Sequence, residues 1–458
     1  MKSNSGYNIP LAGRPSAEVE VLPEPQDLFL PLHTERFDFT RIQVEEGQEV
    51  TPGHILAKDP NNYALPLLAP REGTVSLDEA EGYVVLRDVE MAEEQPYTID
   101  DDPEHIPQNL GSAGMQRYKL LQLGAWEFFR EAHTYELPDP FGIPRAIIVS
   151  TLRLEPFMAR GDVELRKRLN HFTRGLEHLQ SLLEYQPIHL VVPDVQSELA
   201  DRIRNKLKGY AWVQIVTVPL TYPQDNSSVL ARRAGLPASE EAPVWALWTD
   251  GVLAVDRALT LSRPSTVRVV TLGGPACDEP RHVKAIPGYP LDALLATHSD
   301  PGVRVVQNGV LTGRQVGEDD RGLSPECRGY TLLSEPQARE FLGFMRPGAD
   351  RPSYSNCFLS ALRTGLKRRF TTAMWGERRP CISCIFCEEV CPVDIMPHQI
   401  HKYLYQDALE EAEKAGIDRC VACGLCSYVC PSKIELRTQL VDGQERVQRE
   451  LHPEDETE

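Results

Sequence analysis

The sequence contains no run of about 18 consecutive apolar residues, so no membrane-spanning helix is expected. Its opening, MKSNSGYNIPLAGRPSAEV, has no apolar core behind the lysine. No signal peptide is therefore expected, and the chain is assigned to the cytoplasmic side, where thiols stay reduced. Positive charge is short: 48 Lys and Arg stand against 67 Asp and Glu, a net charge of −19. That balance argues against nucleic acid as a partner and against attachment to anionic lipid by charge. No G-x-G-x-x-G follows a strand-like run, and there is no P-loop. The nearest stretches, LGSAGM at 110–115 and LGGPAC at 272–277, read as glycine turns. No nucleophile–base pair or pair of catalytic carboxylates can be singled out, and no catalytic residue is assigned. Cysteine is almost missing from the first 380 positions, where only Cys277, Cys327 and Cys357 occur.

What is present fits a globular chain of 458 residues, 41% hydrophobic and 25% charged. At roughly 150 residues per domain it should divide into about three or four. Residues 1–26 read as a polar, Pro-containing, extended lead-in. From 27 to 100, short β-branched runs separated by Gly47, Gly53 and Gly73 suggest a small β-sandwich with glycines at tight turns. The order V-x-x-G-x-x-V-x-x-G-x-x-L-A, then A-P-x-x-G-x-V, resembles biotinyl and lipoyl carrier domains. The only lysine on offer is Lys58 in LAKDPN, without the usual flanking residues, so a structural module is expected.

In the span 101–262, strand-like PRAIIVSTL, PIHLVVPD and WVQIVTVPL alternate with amphipathic stretches at 160–184 and 195–208. Leu165, Leu169, Phe172, Leu176 and Leu179 fall at helical spacing. The alternation indicates an α/β layer with parallel strands, of the kind that binds ligands beyond the strand carboxyl ends. Residues 263–330 turn β again, with a Gly-Gly-Pro turn, a Pro-Gly turn and a short helix, and suggest a β-grasp-like unit. The fold class expected is thus α+β multidomain: a barrel-sandwich-like β domain, a central α/β domain, a β-grasp-like domain, and a C-terminal helical domain at 331–445. An acidic tail at 446–458 closes the chain.

The C-terminal domain carries the chemistry. Cys381, Cys384, Cys387 and Cys391-Pro392 form C-x2-C-x2-C-x3-C-P, and the same string recurs 39 residues on at Cys420, Cys423, Cys426 and Cys430-Pro431. Ile382 with Val421, Val390 with Val429 and Ile395 with Ile434 repeat too, which indicates an internal duplication. Three thiolates at intervals of three can hold three irons of one cubane, and in two-cluster ferredoxins the fourth cysteine ligates the other cluster. One [4Fe-4S] cluster is therefore expected on Cys381, Cys384, Cys387 and Cys430, the second on Cys420, Cys423, Cys426 and Cys391. A zinc ribbon needs paired cysteines and has no use for the third and fourth of each string. Disulfides do not suit a reducing compartment.

Between the strings, PHQIHKYLYQDALEEAEKAG places Ile400, Leu404, Ala408 and Ala412 on one helical face, with Gly416 at the stop. That helical linker suits the two-cluster modules of respiratory subunits. His398 and His401 are expected on its solvated or packing face. Upstream, Arg363, Lys367, Arg368, Arg369, Arg378 and Arg379 against Glu377 form a basic segment. It reads either as a dock for an acidic donor or lipid headgroups, or as a solvated face.

The whole order of segments resembles a family. PLHTERFDFTRIQVEEGQEVTPGHILA, IPRAIIVSTLRLEPF, HFTRGLEHL, RVVTLGGPACDEPRHV and SNCFLSALRTG are similar to the A subunit of the sodium-translocating NADH:quinone oxidoreductase, Nqr, from about residue 27 to 440. That subunit typically lacks the paired cysteine strings, whereas the related C subunit of the Rnf complex has them in this position. The glycine-rich G-x-G-G-x-x-F-P loop by which Rnf C holds flavin and NADH is absent; LGSAGMQRYKLLQLGAWEFFR stands in its place. The resemblance implies a peripheral electron-transfer subunit on the inner face of the cell membrane, held by integral-membrane and flavin subunits, with sodium transport elsewhere in the complex. NADH is then the ultimate donor by way of a separate subunit. Quinone or a soluble carrier is the exchange partner. Quinone is assigned to no residue here, and FMN and NADH are not expected on this chain. Two rivals stay open: an Rnf C-type subunit that itself binds NADH and FMN, and a docking scaffold whose clusters are structural.

Overall fold

The β-branched runs after residue 27 do form strands. In the computed structural model, residues 6–91, 111–195, 197–237, 243–296, 302–335 and 378–452 are described. After β1 (Val19–Val21) come β2 (Leu28–Pro31), β3 (Arg41–Ile42), β4 (Glu49–Val50), β5 (Ile55–Asp59), β6 (Leu65–Leu68), β7 (Glu72–Asp78) and β8 (Tyr83–Glu90). They make one sheet in the order β2-β8-β7-β4 and another in the order β3-β5-β6, sharing a core that includes Leu30, Leu56, Leu67 and Leu86. Gly47 and Gly53 take left-handed φ values of 77° and 92°, as the turns require. Gly73 does not turn the chain. It lies within β7 at a register shift, where a Cβ would meet the Arg87 carbonyl at 2.9 Å. Lys58 lies within β5 opposite Arg41 and Pro66, one residue before the strand ends in the loop to β6 rather than at that loop's tip.

The next elements are α1 (Ser112–Gln122), a 3-10 turn (Ala125–Phe128), β9 (Arg130–Glu131), β10 (Ala146–Ser150), α2 (Gly161–Glu164), α3 (Leu169–Leu182), β11 (Ile188–Pro193), α4 (Glu198–Lys206), β12 (Val213–Val218), α5 (Ser227–Arg233), β13 (Val244–Trp248) and α6 (Thr249–Leu261). The sheet order is β12-β11-β10-β13-β9, with β9 alone antiparallel. The helix expected over 160–184 is split into α2 and α3; the turn between them buries Leu165 while Arg166 and Lys167 reach solvent. Trp126 stacks on Phe129 at 4.3 Å and meets Trp245 edge-on at 5.3 Å, which ties the 3-10 turn to β13.

Strand order reverses between β10 and β13, the place where open parallel sheets commonly bind ligands. Side chains of the protein itself cross that place. Arg153 holds Asp250 at 2.7 Å and Arg328 holds it at 2.6 Å. Burial alone would raise the Asp250 carboxyl, yet the two guanidiniums keep it well below the usual range.

The third group comprises β14 (Arg268–Gly273), β15 (Arg281–Ala285), α7 (Leu291–Leu295), β16 (Val303–Gln307), β17 (Arg314–Gln315) and β18 (Gly329–Ser334). Its sheet runs β1-β15-β14-β18-β16-β17, with β14 and β18 parallel at the centre. The lead-in thus adds an edge strand, and β18 continues past residue 330, the boundary expected from the sequence.

The last group is α8 (Phe386–Glu389), α9 (Pro397–Tyr405), α10 (Leu409–Lys414), α11 (Leu425–Val429) and α12 (Leu436–Leu451). The single linker helix expected between the cysteine strings is broken at Asp407, which has φ 59°. The break turns the chain so that α9 and α10 both pack against α12. Gly416 stops α10 with φ 81°, as anticipated. The tail expected from 446 is still helix to Leu451, because Val447 is buried and Arg446 pairs with Glu450 one turn on. Among the described residues no helix is long and apolar enough to cross a membrane. Cys357, Arg363, Lys367, Arg368, Arg369, Glu377 and the SNCFLSALRTG segment lie outside the described residues.

Candidate metal centre

The two cysteine strings fold as copies of one backbone. Ser383, Ile385 and Asp394 take left-handed φ values of 54°, 61° and 53°, and their partners 39 residues on, Ala422, Gly424 and Lys433, take 50°, 78° and 57°. These bends wrap the chain so that peptide N–H groups point at sulfur. Cys387 accepts from the backbone of His398, Cys420 from Ala422, Cys423 from Leu425, and Cys391 from Val393, Asp394 and Ile395. The short helices α8 and α11 then lead to the proline-flanked cysteines, and α9 and α12 begin at equivalent positions, 397 and 436.

The eight cysteines line two adjoining cavities. The first is walled by Cys381, Cys384, Cys387 and Cys430, the second by Cys420, Cys423, Cys426 and Cys391, with Cys387 touching both. The crossing is carried by whole segments: Cys391, Ile395 and Pro397 reach from the first string into the second cavity, and Cys430, Ile434 and Leu436 return the exchange. None of the ten described cysteines is in a disulfide. Among the described residues no three His, Cys, Asp or Glu side chains converge as ligands of a single ion would. A cubane does not ask for that, since its four thiolates sit on four different irons. Sulfur donors in fours, N–H groups aimed at them and apolar walls all fit a [4Fe-4S] group.

Burial pushes the thiols up: Cys387 and Cys420 to about 11, Cys423 to about 12 and Cys426 well above its ordinary value. Without iron these thiols hold their protons at neutral pH, so metal loading must release them.

The cavities differ in what surrounds them. Ile382 and Ile385, beside the first, are 65% and 47% exposed. The second is pressed against the body. The Tyr222 hydroxyl donates to the Cys423 carbonyl at 2.7 Å, Arg437 donates to Ala422 and Thr312, and Tyr7 stacks on Tyr428 at 5.8 Å. Glu155 accepts from the Leu311 N–H at 2.7 Å, and the Leu311 carbonyl approaches Gly424. One apolar cluster joins Ile148, Leu154 and Val218 of the α/β layer to Val390, Leu425 and Leu440.

The histidines were expected to lie on a solvated or packing face of α9. His398 is on the packing side and borders the first cavity; its Nδ1 makes no hydrogen bond and lies 4.0 Å from Glu388 Oε2. His401 lies in an adjoining open cleft with Arg378, Arg379 and Lys402, bonded to Gln439 at 2.6 Å. Arg437, which the sequence reading passed over, lines the second cavity. Its place 39 residues after His398 was the available signal.

The description "NqrA second alpha/beta domain" matches residues 113–262, and "4Fe-4S dicluster domain" matches residues 377–434. The chain carries an NqrA domain and a dicluster domain. NqrA likeness extends well beyond the first of these. The A subunit of the Na(+)-translocating NADH-quinone reductase of Pseudomonas aeruginosa is 28% identical over 98% of this chain and 100% of its own length. Its counterpart of the same description from Rhodopirellula baltica is 26% identical over 97% of each. Among solved structures, an NAD+-reducing [NiFe]-hydrogenase in the H2-reduced state covers 74% of this chain and 68% of its own at 12% identity and a TM-score of 0.43, a likeness too distant to carry functional weight.

Proposed function

We propose that this chain is the iron–sulfur electron-transfer subunit of a membrane-bound, Na+-translocating NADH:quinone oxidoreductase. It would sit peripherally on the inner face of the membrane, held by integral-membrane and flavin partners. The supporting observation is the partition of eight thiols between two adjoining cavities, with one proline-flanked cysteine exchanged each way. When bound, a [4Fe-4S] cluster supplies reversible one-electron exchange at a potential set by hydrogen bonds, charge and exposure.

The protein's own residues supply the arrangement. Cys381, Cys384, Cys387 and Cys430 would hold the outer cluster, with Ile382 and Ile385 at the exposed edge where a soluble carrier or a partner subunit could approach. Cys420, Cys423, Cys426 and Cys391 would hold the inner one, against Tyr222 and Leu311. Cys387, in the wall common to both cavities, keeps the path between them short. The relatives' names supply an NADH-quinone reductase of several subunits, in which NADH would be the donor and quinone the acceptor; in this reading NADH acts by way of a separate subunit.

Anaerobically purified protein should hold about eight irons, four per cubane. Cys387→Ser should remove the EPR signal of one reduced cluster and Cys391→Ser that of the other. Four irons, or zinc at one per chain with none, defeats the reading. Flavin absorbance and NADH-driven bleaching of the isolated chain would favour an Rnf C-type catalytic subunit instead.

A further inference from the structure

A second site lies away from the sulfur. Between the lead-in and the loop that leaves β10 is a cleft of about 180 Å³, lined by Arg14, Ser16, Phe157, Arg160, Asp162 and His282 among others. It sits past the carboxyl end of a parallel strand, on the side where such sheets take ligands. Arg160 is half-buried and Arg14 exposed, and both residues line the same space, close enough for their charges to act on each other. Among the described residues neither makes an ion pair within contact distance, though Asp162 and Asp225 attract Arg160 from farther off. In a chain of net charge −19, two arginines sharing one cleft with a single lining carboxylate, Asp162, are out of keeping with their surroundings. Asp162 is exposed at the rim.

The remaining lining is fixed in place. His282 is 4% exposed and its Nδ1 lies 2.9 Å from Oγ1 of Thr271, which is fully buried. Burial lowers His282 to about 4, so it adds a neutral ring and no charge at neutral pH. Phe157 holds φ 71°, a costly conformation for a side-chain-bearing residue of the kind found at binding sites. Burial, and then repulsion from Arg14, lowers Arg160 below its ordinary value even though Asp162 and Asp225 pull the other way, and an anion between the two arginines would add to that pull. Guanidinium forks match tetrahedral oxyanions. The cleft is smaller than the roughly 300–1,000 Å³ of sites for drug-sized ligands, so it admits a phosphate and a few further atoms but no dinucleotide.

We propose that this cleft binds a phosphate group, free or carried by a small metabolite, clamped between Arg14 and Arg160. The test is calorimetric titration of the anaerobic, iron-loaded full chain with inorganic phosphate and with glycerol 3-phosphate, acetate serving as the control anion. Saturable binding of phosphate but not acetate is expected. Tighter binding of the ester assigns the ligand to a phosphorylated metabolite, and the reverse order to free phosphate. Arg160→Gln should weaken binding about tenfold or more, the loss of one charge-assisted hydrogen bond. Arg14→Gln, at an exposed position, should weaken it less, with iron content and melting temperature unchanged. Asp162→Asn should tighten it. No saturable binding of either phosphate compound, equal binding of acetate, or unaltered affinity in both arginine variants overturns the proposal.

Discussion

Ile385 and Gly424 occupy the same place in the two repeats, with φ values of 61° and 78°. A left-handed conformation costs an ordinary L-residue about 1–2 kcal/mol, and glycine escapes that cost. The first repeat tolerates isoleucine because its loop faces outward, where the side chain can cover the cavity mouth. In the second, a Cβ on Gly424 would stand 2.8 Å from the Leu311 carbonyl. Gly424→Ala should therefore destabilise the inner loop by about 1–3 kcal/mol. Reduced-state EPR should record loss of the inner cluster before the outer one, and equal loss of both would contradict this account. The role of His398 was legible only in part. Its place 39 residues before Arg437 can be read from the sequence, but that both line cavities depends on where α9 and α12 come to lie.

Helix α12 underlies both cavities. Leu436 reaches the first, Arg437 and Leu440 the second, and its buried side receives α9 and α10. Leu440 is fully buried, and Leu440→Ala should cost about 2–5 kcal/mol. Iron should then fall for both clusters in step, measured by metal analysis beside the melting temperature; selective loss of one cluster is the contrary outcome. Elements of this kind were readable where periodicity is strong, as in the α3 leucines and the β10, β11 and β12 runs. The break at Asp407, the bulge at Gly73 and the helical continuation to Leu451 were not. Each is set by packing against segments distant in sequence, which a local pattern does not encode.

Across the whole molecule, the body beneath the sulfur-bearing helices carries acids with displaced protonation, among them Glu155, which bonds the Tyr222 that donates to the Cys423 carbonyl. Burial raises Glu155 to about 7, and Asp225, which accepts from the Leu154 N–H, to about 6. A carboxyl raised in the folded state keeps a proton that the unfolded chain has already released. The Glu155 contribution to stability should thus fall by on the order of 3 kcal/mol as pH rises from about 4.5 to about 7, while buried His282, held at about 4, contributes a rise of the opposite sign between about pH 4 and 6.5. Denaturant midpoints of the anaerobic protein and of its Glu155→Gln variant across that window isolate the carboxyl: the parent's midpoint relative to the variant's should fall as pH rises, and a difference that does not change with pH refutes it. The order of the β, α/β and sulfur-bearing segments could be read from sequence, whereas the Tyr222–Cys423 and Glu155–Leu311 contacts could not, because their partners are so far apart along the chain. The exchange of cysteines also bears on biosynthesis. The outer cavity opens with Cys381 but gains its fourth thiol only at Cys430, so a chain emerging from the ribosome offers no finished nest for iron until the second cysteine string has been made. Insertion of the metal should accordingly follow synthesis of that second string, and a nascent chain halted before α11 should leave the ribosome colourless.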